Sequence, residues 1–201
     1  MSSITKTQLD ILGLLLTTDK PQSIRGIAKE LKKSYSLTYN NLKDLQKREI
    51  IYKKDIPPAQ IIELNKNAPT EIFIEAENEL KRKFLKKHKW MQVFLNNLLA
   101  DSRQSFFILI VFGSYSKGKQ NKNSDLDLLA IVPSPESVDK MESALNKIYT
   151  QVKKHVVIIT SEQFVEMIKK PEELNVGNEA KQNHLLLYGT EQYYQLIRWK
   201  N

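Results

Sequence analysis

The chain has 201 residues, of which 41% are hydrophobic and 27% charged, and a formal net charge of +8. This composition is typical of a folded protein with room for two small domains. It contains no cysteine, which excludes disulfides and thiolate metal sites. No apolar stretch is long enough for a membrane helix and the first residues lack a signal-peptide core, so we expect a cytoplasmic location and no membrane partner.

Positive charge is concentrated in the first half of the chain. Residues 1–100 carry 18 Lys/Arg and 11 Asp/Glu, whereas residues 101–201 carry 13 and 12. Basic side chains gain affinity for polyanions by releasing phosphate counterions, so a nucleic-acid partner is one interpretation of this excess. A solvated, lysine-rich surface is the other.

The chain begins with a pattern that predicts three short helices. Apolar residues spaced for a buried helix run from about 6 to 18. Ser23 is a typical N-cap for a second helix, and Ser34 or Ser36 for a third helix over about 35–48. The side chains of this third region that we expect to point inward are Leu37, Tyr39, Leu42, Leu45 and Ile50.

Two short segments, about 50–55 and 61–64, flank Pro57 and Pro58 and predict a strand, a turn and a strand. Three short helices closed by a small hairpin resemble a winged helix-turn-helix domain, which we assign to residues 1–66. The resemblance implies that the third helix lies in a DNA major groove.

The predicted nucleic-acid surface, for DNA or RNA, consists of polar side chains on the third helix and lysines near the wing tip. Hydroxyl, amide and amine groups contact phosphates, and asparagine reads adenine edges. These residues are Ser36, Thr38, Asn40, Asn41, Lys43, Lys47, Lys53 and Lys54. The alternative is a module for dimerisation or protein contact, and because winged-helix regulators are often dimers, a homodimer is one expected assembly.

Residues 67–100 are interpreted as a linker and a long connector helix. Thr70 caps a helix predicted over about 71–99, whose acidic start and basic middle suit the helix dipole. Its six basic residues are either a nucleic-acid surface or a solvated face. Its later apolar stripe, which we expect to pack on the following domain, is Phe84, Leu85, Trp90, Met91, Phe94, Leu95 and Leu98.

The most informative motif follows. An apolar run over 106–112 leads into Gly113-Ser114, and after a lysine-rich loop Ser124-Asp125-Leu126-Asp127 leads into a second apolar run. Carboxylates separated by one residue on a strand point to the same side. Because two such acids repel unless a cation lies between them, the motif predicts a divalent-metal pair, and a turn or strand-edge role for the aspartates is the alternative.

This motif resembles the nucleotidyltransferase superfamily that includes DNA polymerase beta, and most of all its minimal domains from archaea and bacteria. The resemblance begins near residue 90, and we assign the domain itself to 101–201. It implies an NTP substrate and a Mg²⁺ or Mn²⁺ cofactor, with Asp125 and Asp127 as catalytic metal ligands. It also implies a nucleotide-binding group, which comprises Gly113, Ser114, Lys117 and the turn-ordering Ser124.

Beyond the motif, helices are predicted over about 136–151, 161–170, 178–187 and 190–199, with a buried strand at 156–159. Strands that alternate with helices give an α/β (α+β) domain with a small mixed sheet and flanking helices.

One expected group is absent. Active members of the family carry a third carboxylate on the later strand, and the matching position here falls near Val157, where only His155 is polar. Imidazole is a poor Mg²⁺ ligand, and we interpret His155 as a strand-end residue. The acids that could substitute are Asp139, Glu142 and Glu162. Of the other histidines, we expect His88 at the surface and His184 at the core edge.

Three functions are consistent with these features. The chain is an enzyme that transfers a nucleoside monophosphate to an acceptor hydroxyl, or a DNA-binding regulator whose second domain only senses nucleotide. The third alternative is an antitoxin-like partner of a helical, toxin-like protein.

Overall fold

The computed structural model describes residues 3–18, 20–57, 59–102 and 106–198. The chain divides into two compact units, Met1–Leu80 and Lys81–Asn201. The domain boundaries expected from the sequence, after residues 66 and 100, remain predictions.

The first unit has the element order of a winged helix. Its elements are α1 Lys6–Leu16, β1 Gln22–Ser23, α2 Ile24–Glu30, α3 Tyr35–Lys47, β2 Ile51–Ile56 and β3 Ala59–Leu64. The strands form an antiparallel sheet in the order β1-β3-β2. The predicted helices and hairpin are confirmed, although the predicted turn residue Pro58 lies outside the described residues.

Side-chain caps explain where the three helices begin. The hydroxyls of Thr5, Ser23 and Ser34 each accept a hydrogen bond from a backbone N–H three residues later, at Gln8, Gly26 and Leu37 respectively. These bonds satisfy N–H groups that a helix leaves unpaired at its start. Ser23 was the predicted cap of α2, and of the two candidates for α3 the structure uses Ser34.

The residues that α3 buries differ from the prediction near the start of the helix. Leu42 and Leu45 are fully buried as expected, but Leu37 and Tyr39 are exposed at 44% and 38%. Thr38 is fully buried instead, and its hydroxyl donates to the Ser34 carbonyl at 2.9 Å. Thr38 precedes Leu42 by four positions, about one helical turn, so it shares the core face whereas its two neighbours are rotated away.

The predicted linker around residues 65–69 is packed rather than free. Asn65 and Ala68 are buried, and the Asn65 amide donates to the Glu49 carbonyl at 2.6 Å. This segment leads into α4, Thr70–Lys87.

The long helix predicted over 71–99 is two helices, α4 and α5 Lys89–Ser102, separated at His88. No proline or glycine marks this position in the sequence. The His88 ring packs 4.7 Å from Phe84 and 5.7 Å from Tyr115, between ring centroids. We attribute the break to this tertiary packing, which commonly overrides local helix propensity.

The second unit contains a mixed sheet, as predicted. Its strands, β4 Ile108–Phe112, β5 Leu126–Val132, β6 Lys154–Thr160 and β7 Leu185–Tyr188, lie in the order β6-β5-β4-β7. β5 and β6 are parallel and the other two pairs are antiparallel. β7 corrects the prediction of a helix over 178–187, because the helix there, α9 Val176–Gln182, ends before the leucine run. Periodicity cannot separate a short buried strand from a buried helix.

Helices pack on both faces of this sheet. The helices of the second unit are α5, α6 Gly113–Ser116, α7 Glu136–Lys147, α8 Ser161–Ile168, α9 and α10 Thr190–Arg198. Alternate β5 residues such as Leu128 and Ala130 join one core cluster with Phe94 of α5 and Met141 of α7. The Ile131 face lies towards α8, since neighbouring strand residues point to opposite sides. The predicted final residue of α10, Trp199, lies outside the described residues.

None of the helices within the described parts of the chain is both long and apolar enough to cross a membrane.

Candidate functional site

Three strand ends meet at one edge of the mixed sheet. β4 is antiparallel to β5, and Phe112, its last residue, pairs with Asp127 near the start of β5. β6 is parallel to β5, and His155, near its start, also pairs with Asp127. The glycine-serine turn, the acidic motif and His155 therefore lie together although more than 40 residues separate the first from the last.

Gly113 is required at this edge for two reasons. Its φ is +67°, a left-handed conformation that costs other residues free energy. A Cβ at this position would also lie 2.3 Å from Asp127 Oδ2, far below any real contact. The absent side chain thus lets one oxygen of the Asp127 carboxylate lie directly against the backbone of the turn.

The loop after Gly113 is ordered by its own hydrogen bonds. The Ser116 hydroxyl donates to the Gly113 carbonyl at 3.1 Å, and the Lys119 N–H donates to the Ser114 carbonyl at 3.0 Å. The predicted nucleotide ligand Ser114 is half-buried and Lys117 is exposed.

Ser124 orders the turn before β5. Its hydroxyl accepts a hydrogen bond from the Asn121 N–H at 2.9 Å, and its own N–H donates to the Asn121 carbonyl at 3.2 Å. These bonds order the turn that directs the chain into Asp125.

Each aspartate faces a basic side chain from the β6 region. Lys153 Nζ lies 3.6 Å from Asp125 Oδ2, and His155 Nδ1 lies 3.6 Å from Asp127 Oδ1. The exposed fractions of the aspartate side chains are 43% for Asp125 and 29% for Asp127. Sequence reasoning did not select Lys153 and treated His155 as a strand-end residue, because only the parallel pairing of β5 with β6 brings them here.

The expected position of the third carboxylate needs correction. The register pairs Val157 with Leu129, two residues beyond Asp127, so the neighbour of Asp127 is His155. Within the described ranges, no group of three or more His, Cys, Asp or Glu side chains is arranged to hold a metal ion.

The three acids considered as substitutes lie elsewhere. Glu142 lines a cavity with Val156 and Ile158, which point to the opposite face of β6 from His155. Asp139 is in the first turn of α7, and Glu162 is in the first turn of α8, which directly follows β6. Both follow the far ends of β5 and β6, about 16 Å along the strand from Asp127 at 3.3 Å per residue.

Lys154 anchors the start of β6. Its amine donates to the carbonyls of Leu145 and Ile148 at the end of α7, the second at 2.6 Å. Burial lowers the pKa of this amine, and a cation at helix carbonyls is favoured by the helix dipole. This contact holds the chain between Lys153 and His155 in position.

His88, which we expected at the surface, is half-buried and packs against the glycine-serine loop. It contacts the ring of Tyr115, which directly follows Ser114, and its Nε2 is 3.3 Å from Gln120 Nε2. Burial and, secondarily, the Lys87 charge lower the pKa of His88, and burial raises the pKa of Tyr115. The neutral imidazole is therefore favoured where it supports the loop.

Only some of the predicted nucleic-acid-binding residues of the first unit are exposed. The exposed ones are Ser36, Asn40, Lys43, Lys47 and Lys54. The Asn41 amide donates to the Leu37 carbonyl at 2.8 Å, and the Lys53 amine lies over the Tyr39 ring at 5.1 Å. Thr38 is buried and cannot contact a ligand, which corrects its place in this group.

Two tyrosines on the same helix were missed as surface groups. Tyr35 and Tyr39 are exposed, and their rings stack with centroids 6.2 Å apart. Apolar periodicity alone had predicted that Tyr39 points inward.

Residues 107–181, which contain this sheet edge, match the family model described as the nucleotidyltransferase domain. The predicted resemblance to nucleotidyltransferases is confirmed. A comparison of the chain with curated proteins found no match.

Solved structures similar to part of the chain include MepR, a transcription regulator of the Staphylococcus aureus multidrug efflux pump MepA. It is 26% identical, with a TM-score of 0.33, over 49% of this chain and 79% of MepR. The zinc-responsive MarR family member ZitR of Lactococcus lactis is 25% identical, with a TM-score of 0.32, over 51% of this chain and 77% of ZitR. Scores this low support no conclusion, so the winged-helix assignment depends on this chain's own strand order.

The nucleotidyltransferase-like domain offers donors for one divalent ion. Asp125 and Asp127 supply carboxylate oxygens, the ligands that Mg²⁺ prefers, and Mg²⁺ commonly completes its shell with substrate phosphates and water. The donor set therefore fits a single nucleotide-associated ion. The described residues supply no third carboxylate for a second ion.

Proposed function

We propose that the nucleotidyltransferase-like domain transfers a nucleoside monophosphate from an NTP to an acceptor hydroxyl, with Mg²⁺ or Mn²⁺ held by Asp125 and Asp127. The observation that supports this most is the position of Asp127 against the positive-φ turn at Gly113, within the segment that matches the family model. That arrangement joins a phosphate-binding backbone to a metal-binding carboxylate.

In the proposed reaction, the acceptor oxygen forms a bond to the α-phosphorus and its proton passes to solvent, while the bond from that phosphorus to the pyrophosphate oxygen breaks. The backbone N–H groups of the Gly113-Ser114 turn and the Ser114 hydroxyl bind the triphosphate, and Lys117 adds positive charge beside it. A divalent ion held by Asp125 and Asp127 would neutralise phosphate charge and stabilise the departing pyrophosphate. The protein contributes chiefly by positioning the two substrates.

The test is incorporation of label from each α-labelled NTP, with Mg²⁺ or Mn²⁺ and with total RNA and cell extract as acceptors. Asp127→Asn should abolish incorporation, because it removes the proposed metal ligand. Asp139→Asn, which changes an exposed aspartate on α7, should leave it intact. Transfer at the full rate by Asp127→Asn would show that the metal assignment is wrong.

A nucleotide sensor is the second candidate, and it is favoured because no third carboxylate lies beside Asp127 among the residues that the structure describes. In that case calorimetry would detect NTP binding to the wild-type protein, while no acceptor would become labelled under any metal condition. A difference in DNA affinity with and without NTP would then establish regulation.

We propose that the first unit binds DNA through α3 and the wing. Support comes from the charge of residues 1–66, which carry 12 Lys/Arg and 7 Asp/Glu, and from the exposed lysines of α3. Lys43→Ala should weaken binding and reduce its salt dependence. Thr38→Val should leave DNA affinity unchanged, since the threonine is buried. Equal losses of DNA affinity in both variants would contradict the assignment of this surface to DNA binding.

The remaining partners and the location stay predictions. A homodimer would be detected by sedimentation of the purified chain. An antitoxin-like role would be detected by co-purification with a small helical protein produced from a neighbouring gene. The cytoplasmic location expected from the sequence would be tested by fractionation of cells.

A further inference from the structure

We propose that Tyr35 and Tyr39 form a stacking surface for unpaired nucleotides, so that the first unit binds single-stranded DNA or RNA in preference to a duplex. The inference rests on the proposed nucleic-acid binding by α3 and the wing, and it names the form of nucleic acid that this surface takes. It uses two aromatic side chains to which the proposed surface assigned no role.

The two tyrosines present a continuous aromatic surface to solvent. They are one helical turn apart on α3 and are 51% and 38% exposed. Their ring centroids are 6.2 Å apart and their ring planes are 18° from parallel. A single exposed aromatic residue is ordinary on a protein surface, whereas a stacked pair forms an apolar patch of the kind that marks a binding site.

The exposed rings favour unpaired bases over base pairs. In a duplex each base is stacked between its neighbours and offers only its edges to the groove, where polar side chains and small apolar groups read them. An unpaired base has a free face, and stacking of that face on an aromatic side chain is the usual way in which proteins bind single strands. Two nearly parallel tyrosine rings therefore match an unpaired strand better than a groove.

Lysines continue the line of the tyrosines along α3. Lys43 and Lys47 follow Tyr39 by four and eight positions, so each lies beside its predecessor on the helix surface, and both are exposed. The stripe from the first tyrosine to the second lysine spans 12 positions, or about 18 Å of helix. Asp44 points towards α1 instead, where its carboxylate accepts a hydrogen bond from the Gln8 amide at 2.7 Å. The stripe thus combines rings for bases with amines for phosphates.

The wing holds one ring of the pair in place. Lys53 Nζ lies 5.1 Å from the centroid of the Tyr39 ring, within the range of a cation–π interaction. Lys53 shares its face of β2 with the fully buried Ile51, so this face is turned towards α3. The contact restricts Tyr39 before a ligand arrives, which lowers the entropy cost of ordering the side chain on binding. It also places a cation beside the stacked rings.

The test compares the unpaired and duplex forms of one sequence by fluorescence anisotropy with the full chain. The probes are a labelled DNA strand of about 20 nucleotides, the RNA strand of the same sequence and the DNA duplex. All are measured in EDTA, so that the second unit holds no divalent ion. We expect the wild-type protein to bind the tighter of the two single strands at least about fivefold more tightly than the duplex, and that strand identifies the source of the nucleotides.

Replacement of the rings should affect only the single strand. Tyr35→Leu/Tyr39→Leu keeps apolar volume without an aromatic face, and it should lose about tenfold or more of the single-strand affinity but less than about twofold of the duplex affinity. Tyr35→Phe/Tyr39→Phe keeps both rings and should retain the single-strand affinity, because stacking does not require the hydroxyl groups.

Tyr52→Leu is the matched control. Tyr52 is also 51% exposed, but it points to the opposite face of the hairpin from its neighbours Ile51 and Lys53, so its replacement should leave every affinity unchanged. Circular dichroism establishes that each variant is folded. If the double leucine variant unfolds, Tyr35→Leu alone provides the same comparison, with an expected loss of about fivefold for the single strand.

The inference is overturned if the folded leucine variant binds the single strand as tightly as Tyr52→Leu does, or if the wild-type protein prefers the duplex. Duplex binding that depends on Lys43 would in that case leave the proposed DNA-binding surface intact. Failure of the wild-type protein to bind any probe would refute both proposals. Self-association in sedimentation that the leucine variant loses, with single-strand affinity unchanged, would assign the tyrosines to contact between copies of the chain instead.

Discussion

Gly113→Ala would place a methyl group where the Asp127 carboxylate now lies. The built Cβ is 2.3 Å from Asp127 Oδ2 and 3.2 Å from Asp127 Cγ. Ordinary carbon–oxygen contact begins near 3.4 Å, so the carboxylate must move by about 1 Å or the turn must change. The alanine must also adopt the φ of +67°, at a cost of roughly 1–2 kcal/mol.

Gly118 provides a matched control in the same loop. Its φ is +64°, but a Cβ there would meet nothing within 4 Å. Gly118→Ala should therefore carry only the backbone cost of roughly 1–2 kcal/mol. For a chain of this length each kcal/mol lowers the Tm by about 2–4 °C.

Thermal unfolding and metal titration of both variants separate the two effects. Gly113→Ala should lower the Tm at least as much as Gly118→Ala, and it alone should lose metal and nucleotide affinity, because it displaces Asp127. If the two variants retained equal affinity, the close approach of Asp127 to the turn would not matter to the site and the reasoning would be refuted.

Three further predictions concern the second unit. Gly189→Ala should destabilise it by more than about 2 kcal/mol in urea unfolding, because φ is +77° and the Cβ would lie 2.4 Å from the Phe107 carbonyl oxygen; a smaller loss would show that the backbone adjusts. Burial and a neighbouring lysine lower the pKa of His88 from 6.5, so the unfolded chain protonates first and stability should fall as the pH drops from 6.5 through the folded-state pKa. His88→Phe should remove that part of the pH dependence of stability. If the variant and the wild-type protein lost stability identically as the pH fell, the assignment to His88 would be wrong. Lys153→Ala should change the unfolding free energy by less than about 0.5 kcal/mol, since its ion pair is largely exposed, whereas a larger loss would indicate a structural role.

Local signals in the sequence were sufficient for most of the fold. The caps at Ser23 and Ser34, the apolar runs of β4 and β5 and the loop between them depend on neighbouring residues, and each was predicted near its observed place. The helix break at His88 and the strand β7 were missed. The first depends on the ring of Tyr115, 27 positions away, and the second on pairing with β4.

The candidate site also has one part that the sequence predicted and one part that only the tertiary structure decided. Glycine, serine and two aspartates within one short motif identified its turn and its acidic strand, because those features are encoded by spacing along the chain. The identity of the groups beside the aspartates was decided only by the register of β5 against β6, which brings Lys153 and His155 to Asp125 and Asp127. Strand pairing is a long-range choice made by the packing of the whole sheet, and a shift of one residue would turn His155 to the other face.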